Sequence, residues 1–301
     1  MNHTIISAMV GLALLATTAA AQDTVAPQAV VESRGSSPSR IETTVSGNAP
    51  DEANNITNQS NNPLTPKNQF ILQNFFMPSP QGDGGRSADQ ELLRLYLPFK
   101  LFGVQNVPRI YQPIETQPLF PTGRDAGFGD TTIYDLALHK INKFTVGGGP
   151  LLVLPVASHK DLGDGKWQAG GAGVVVTVRS WGLMGTVVTY QHSFSGYGGS
   201  RLAAEQVSVQ PLIHYNFNRG YYLRSSGIWN INYDAPHVSE IPIGFGAGKA
   251  QKLQSGTVMN FYIESQYSVY QNGMGSPKWQ ILTAVTFQFP NKDKTERSSD
   301  D

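Results

Sequence analysis
The sequence predicts an all-β fold: a transmembrane antiparallel β-barrel of about 12 strands, within a range of roughly 10 to 14. Three observations lead there. Runs of about ten residues alternate apolar and polar side chains, which is the length a tilted strand needs to cross a bilayer. The polar face of those runs carries arginine, lysine, aspartate and glutamate, too many ionisable groups for a dry protein interior. Trp167, Trp181, Trp229 and Trp279 fall near the ends of runs, where the two interfaces of a bilayer would hold them.

Taken in chain order, residues 1–21 have the pattern of a signal peptide. The stretch "IISAMVGLALLATTAAAQ" is an apolar run followed by small residues, with Ala19-x-Ala21 as a cleavage site before Gln22. The preceding "MNHT" lacks the usual basic residue, but the run is short for the ~20 residues of a helical span. Export follows, which removes ATP-driven and nicotinamide chemistry from the expected functions. Residues 22–67 are rich in Asn, Ser, Thr and Pro, with few aromatics and no apolar period. Such a segment cannot bury enough surface to fold and reads as a disordered leader. Its "NIT" and "NQS" fit a glycosylation pattern, a three-residue match that arises easily by chance.

Residues 68–290 are the expected barrel. In "ELLRLYLPFKL", Leu93, Leu95, Leu97, Phe99 and Leu101 share a face opposite Arg94 and Lys100. In "TTIYDLALHK", Tyr134, Leu136 and Leu138 oppose Asp135 and His139. "GTVVTYQHSF" sets Val188, Tyr190 and Phe194 against Thr189, Gln191 and Ser193. "VSVQPLIHYNF" gives Val207, Val209, Ile213, Tyr215 and Phe217 on one side, with His214 on the other. "YYLRSSGIWNINY" opposes Tyr221, Leu223, Trp229, Ile231 and Tyr233 to Arg224, Ser226, Asn230 and Asn232. "NFYIESQYSVY" alternates Phe261, Ile263, Tyr267 and Val269 with Glu264, Gln266 and Ser268. Gly-, Asn- and Asp-rich turn signals such as "SPQGDGGRS" and "YQNGMGSPK" separate the runs. A soluble sheet of this kind would leave a broad oily band in water. A closed membrane barrel inverts the arrangement, giving lipid the apolar face and a wet lumen the polar one, while its ladder satisfies every backbone group.

The final run ends "VTFQF", with Phe287 and Phe289 facing alike, as terminal strands read by the barrel-assembly machinery do. Ala284 stands where that pattern prefers Gly, and a polar tail, residues 291–301, follows. Charged residues make up only 15% of the chain, against ~25% in soluble domains. With 22 basic and 22 acidic residues and no basic patch, nucleic acid is not an expected partner. The absence of cysteine excludes disulfides, Cys-based metal sites and a lipoprotein anchor.

Several stretches, in order, resemble bacterial barrels catalogued as phenol meta-pathway (MetA-type) outer-membrane transporters, some of them labelled "neuromedin U". They are "LRLYLPFKL", "VPRIYQP", "GFGDTTIYDLAL", "VGGGPLLVLPVAS", "LGDGKWQAGGAGVV" and "VQPLIHYNFNRGYYLRSSGIW". The most specific residues are Gly127, Gly129 and Asp130 in one stretch and Gly163, Gly165, Lys166 and Trp167 in another. The resemblance implies an outer-membrane barrel that passes small, apolar or aromatic compounds; it supplies no motif for a substrate site.

Candidate chemistry is sparse. His192 and Ser193 in "YQHSFSG" are adjacent on a strand, so they point to opposite faces and cannot act together without a partner from elsewhere. "GFGAGKAQ" lacks the spacing of a phosphate loop, because Ala250 follows Lys249. Asp161 and Asp164 in "DLGDG" lack EF-hand spacing. No catalytic residue, metal site or cofactor is expected. The functional group expected instead is the row facing the lumen: Arg94, Lys100, Asp135, His139, Arg179, His214, Arg224 and Glu264. Those charges either line a water path or pair across the lumen and fill it, since eight strands are plugged by side chains and 16 to 18 leave a channel. The expected function is passive passage of small compounds across the bacterial outer membrane, with its lipids, the assembly machinery and a small-molecule solute as partners. A non-transporting envelope barrel, or a barrel lipid hydrolase, is the alternative.

Overall fold
A computed structural model of the chain describes residues 49–290, apart from 83, 120–121, 197–203 and 234–238. The expected signal peptide, the leader up to residue 48 and the tail lie outside the described residues. Helix α1 (Ala49–Asn61) comes first, and strands follow it. They are β1 (Gln69–Met77), β2 (Ala88–Tyr96 with Phe99–Leu101), β3 (Val104–Asn106 with Arg109–Pro118) and β4 (Arg124–Phe128, Thr131–Tyr134 and Ala137–Ile141). Then come β5 (Phe144–Leu154), β6 (Lys166–Arg179), β7 (Gly182–Gly196) and β8 (Glu205–Asn216). The last are β9 (Tyr221–Ser225 with Trp229–Asn232), β10 (Ser239–Lys252), β11 (Val258–Asn272) and β12 (Trp279–Gln288).

Each strand pairs antiparallel with its chain neighbours, and β12 returns to β1 in register from Gln69 opposite Gln288 to Phe76 opposite Ile281. The result is a closed barrel of 12 strands. Short turns connect the strands at one end. Phe102 and Gly103 both take positive φ (48° and 82°), as the centre of a two-residue hairpin turn requires. Longer connections, among them residues 155–165, lie at the other end.

Alternation sorts the side chains as expected in most strands. Outside stand Leu97, Phe99 and Leu101 of β2, Met184 and Val188 of β7, Ile213 of β8 and Ile243 and Phe245 of β10, all exposed. Phe245 has 70% of its surface free. Trp181 stacks on Tyr215 at the short-turn end (centroids 6.2 Å apart), and Tyr267 lies against Trp279 at the long-loop end (4.8 Å). Trp167 is exposed at the start of β6. Trp229 departs from the expectation. It is half-buried within β9, where its indole N–H donates to the carbonyl of Pro242 (3.2 Å).

Strand β4 corrects a second expectation. Tyr134 and Leu136 point inward and are buried, and Leu138 packs against the same cluster. The reason is a partner that the period cannot reveal. Inside the barrel, Leu151, Val153, Val174, Val176, Leu183 and Leu212 form an apolar sector, and Leu64 from the N-terminal segment seats itself in it.

That segment is the third correction. The expected leader runs to residue 67, yet its end is the ordered helix α1 and a short tail that occupies the short-turn end of the barrel. Asn58 donates to the carbonyl of Arg179 (3.1 Å) and accepts from Asn216 (2.9 Å); Asn61 accepts from Asn260 (3.0 Å). The carbonyl of Gln59 accepts from Gln288 and that of Pro63 from Arg109 (2.6 Å). Thr57 and Asn58 are buried in this packing, so the acceptor asparagine of the second glycosylation-like triplet is out of reach, whereas that of the first, Asn55, is exposed. Two outcomes follow from the architecture. Unboiled protein should migrate differently from boiled protein on a denaturing gel, since the closed ladder resists detergent. Phe245→Arg should cost about 2–4 kcal/mol of insertion stability, read by urea titration in lipid vesicles, because that position faces hydrocarbon.

Candidate functional site
The lumen is built by inward residues at every second position. Gln69, Ile71, Gln73 and Phe75 come from β1, Arg94 and Tyr96 from β2, and Arg109 and Tyr111 from β3. Tyr222 and Arg224 come from β9, and Asn260, Tyr262 and Glu264 from β11. A cavity of about 510 Å³ occupies the long-loop half, and a smaller one of about 70 Å³ lies beneath it against Asn61, Asn62 and Pro63. Arg94, Val187 and Gln210 border both.

Arg224 and Glu264 form a buried ion pair (Nε to Oε2, 2.8 Å). Ser226 completes it, its amide donating to Oε1 and its hydroxyl to Oε2 (2.8 Å each). Gln266 also donates to Oε1 (3.0 Å), and the Arg224 guanidinium lies 3.5 Å from the Tyr262 ring centroid. The carboxylate can lie flat because β10 presents glycines here. A Cβ on Gly244 would fall 1.9 Å from Glu264 Oε1, and one on Gly248 would meet the Tyr222 ring at 2.4 Å. The stretch "GFGAGKAQ" is thus wall, with its small residues facing in.

Across the lumen, three tyrosines and two arginines interleave. The hydroxyl of Tyr111 lies 2.7 Å from that of Tyr134 and 3.1 Å from that of Tyr96. Arg94 sits 4.4 Å from the Tyr111 centroid, and Arg109 sits 4.5 Å from that of Tyr96. Arg109 donates to the Tyr134 hydroxyl (3.0 Å) as well as to Pro63. His214 is buried beside Tyr222, edge to face at 5.8 Å.

Of the eight expected lumen residues, the structure brings together Arg94, His214, Arg224 and Glu264. Lys100 and His139 are exposed on β2 and β4 at the short-turn end. Asp135 interrupts β4 and turns back to accept from the amide of Leu136 (2.8 Å), between two inward neighbours. Arg179 is half-buried and engages α1 through its carbonyl. Arg109 and the tyrosines were missed. The signal was available in spacing: Tyr96 lies two residues from Arg94 and Tyr111 two from Arg109, so each shares its arginine's face.

The two glycine stretches singled out in the sequence meet. Asp130 accepts from the backbone amides of Ala157 (3.1 Å), Asp164 (2.9 Å) and Gly165 (3.4 Å), drawing residues 155–165 into the mouth of the barrel. Leu162, Gly163 and Asp164 thereby line the larger cavity. A Cβ on Gly163 would fall 2.6 Å from Asp130 Oδ1, and one on Gly127 would meet the Ser158 hydroxyl at 2.0 Å. Gly165 takes φ +64°. Lys166 and Trp167 begin β6 as the loop ends. His192 points outward and is exposed, whereas Ser193 points inward and accepts from the amide of Ala204. The adjacent pair therefore makes no dyad.

No family model and no curated protein matches the chain. The crystal structure of an outer membrane channel from Pseudomonas putida F1 superposes with a TM-score of 0.56 at 14% identity, covering 74% of this chain and 96% of that one. The fold is that of an outer-membrane barrel. Such a barrel explains why charges as costly as Arg224 and Glu264 sit inside a wall whose outer face is oily. Removing one partner should expose that cost. Glu264→Gln should destabilise the folded barrel by about 3–5 kcal/mol, and Glu264→Gln with Arg224→Met should recover much of it, measured by urea unfolding in vesicles. Asp130→Asn should loosen residues 155–165, seen as faster tryptic cleavage at Lys160 with the barrel itself intact.

Proposed function
We propose that this chain is a channel of the bacterial outer membrane for small organic solutes, closed at its short-turn end by its own N-terminal segment. The observation that carries the reading is the cavity of about 510 Å³ inside the barrel, with a smaller one of about 70 Å³ beneath it that Asn61, Asn62 and Pro63 of the N-terminal segment, the stopper, border. The stopper is held mainly by neutral amide hydrogen bonds and by Leu64, interactions that water and another solute can replace. The fold shared with an outer membrane channel supports the same reading. The sequence resemblance to phenol meta-pathway transporters favours aromatic compounds among the solutes. The apolar sector formed by Leu151, Val153 and their neighbours suits such a body.

A closed barrel with no transport is the competing account, and the seated N-terminal segment favours it as far as the resting state goes. Planar-bilayer recording separates the two. Wild-type protein should give small or rare conductance steps, and deletion of residues 49–65 should raise conductance severalfold. Asn58→Ala, which removes two of the bonds holding the segment, should raise the open fraction to a lesser extent. A deleted chain that folds, inserts and yet conducts nothing defeats the channel.

A further inference from the structure
We propose that Arg94, Arg109 and His214 form a binding site for the carboxylate of a small organic acid, whose hydrocarbon body lies in the larger cavity. The inference rests on the channel reading and names the class of solute. It begins with charge. The smaller cavity is bordered by Arg94, Arg109, Arg224 and His214 and by no carboxylate. Glu264 neutralises Arg224, which leaves two buried guanidinium charges with no acidic partner among the described residues. Arg94 is 6% exposed and Arg109 1%. Burying a cation without a counter-charge costs several kcal/mol. The tyrosine rings beneath them offset part of that cost and fix the positions of the guanidinium planes, but ring faces accept no strong hydrogen bond.

Unused hydrogen-bonding atoms belong to side chains that border the same cavity. Arg94 Nε, Arg109 Nε, Gln69 Nε2 and both ring nitrogens of His214 are buried without a partner. A neutral imidazole has one N–H, so His214 can add a donor to the set. An oxyanion accepting from several of these groups would resolve the charge and the orphan donors together. A guanidinium fork matches a carboxylate in shape, giving two parallel bonds.

Size and surroundings select the rest of the ligand. About 70 Å³ holds roughly two waters' worth of material, enough for a carboxylate, whereas a benzene ring fills an engineered cavity of about 150 Å³. Any ring must therefore lie above, in the larger cavity. Arg94 borders both spaces, so the head and the body of one molecule can lie on either side of it. Above it, Leu92, Leu151, Val153 and Ile228 supply apolar wall.

The test is calorimetric titration of the folded full chain in detergent with sodium benzoate, benzyl alcohol, sodium sulfate and sodium chloride at matched ionic strength. Benzoate should bind with one site per chain and more tightly than benzyl alcohol or either inorganic anion. Arg94→Gln should weaken benzoate about tenfold or more, as expected on losing a charge-assisted pair, and leave benzyl alcohol unchanged. Arg94→Lys, which keeps the charge but not the fork, should fall between. It also serves should the glutamine variant fail the heat-mobility check for folding. Benzyl alcohol binding as tightly as benzoate overturns the proposal, as do inorganic anions matching benzoate, no benzoate heat at millimolar concentration, or both Arg94 variants binding like wild type. Failure of the channel reading appears separately, as a silent bilayer trace from the chain lacking residues 49–65.

Discussion
The structure depends on one constraint: a backbone N–H or C=O facing hydrocarbon has no water to turn to, so each must be paired within the wall. The seam between β1 and β12 is what meets it. Eight residue pairs, from Gln69 with Gln288 to Phe76 with Ile281, convert an open sheet with two unsatisfied edges into a ring. Once the ring closes, every strand has a lipid side and a lumen side, and the alternation becomes compulsory. The polar residues are then not scattered through the chain but gathered in one enclosed space. Function follows from what that space holds.

Much of this was legible in the sequence. The two-residue period in β7, β8, β9 and β11 placed Val188, Ile213, Leu223 and Phe261 outside, and His214, Arg224 and Glu264 inside. Where it failed, it failed for a definite reason. A period separates two faces without saying which solvent each meets, and in β4 the inner face of Tyr134 and Leu136 meets protein. The body it packs with includes Leu64, an apolar residue in an Asn-rich stretch that shows no helical period. Helix α1 was invisible for the same cause: its stability comes from amides of distant strands, such as Asn216 and Asn260, and not from its own pattern. The stretches around Asp130 and Gly163 stood out as sequence. That one carboxylate gathers the amides of the other stretch is a fact of three dimensions.

The lumen is graded as well as polar. Glu115, Asp130, Asp161 and Asp164 border the larger cavity, while Arg94 marks its base and Arg109 lies below. Three of the four acids are occupied: Glu115 accepts from Gln90, Asp164 from Gln168, and Asp130 from the amides of the folded loop. Arg94 and Arg109 rest on tyrosine faces; Arg109 donates to Tyr134 and Pro63, and the Nε of each arginine is unspent. One side of the interior is therefore held rigid by its own bonds and the other is left receptive, an asymmetry that the neutral formal charge of the whole chain conceals.

Gly244 sets the clearance on the opposite side. Because that position has no side chain, the Glu264 carboxylate folds back into a trough in β10 and the ion pair with Arg224 runs along the wall rather than across the bore. A single methyl group there would swing two charged arms toward the axis. The free width beside β11 is thus determined by an atom that is missing from a neighbouring strand, and no charged residue had to be given up to obtain it.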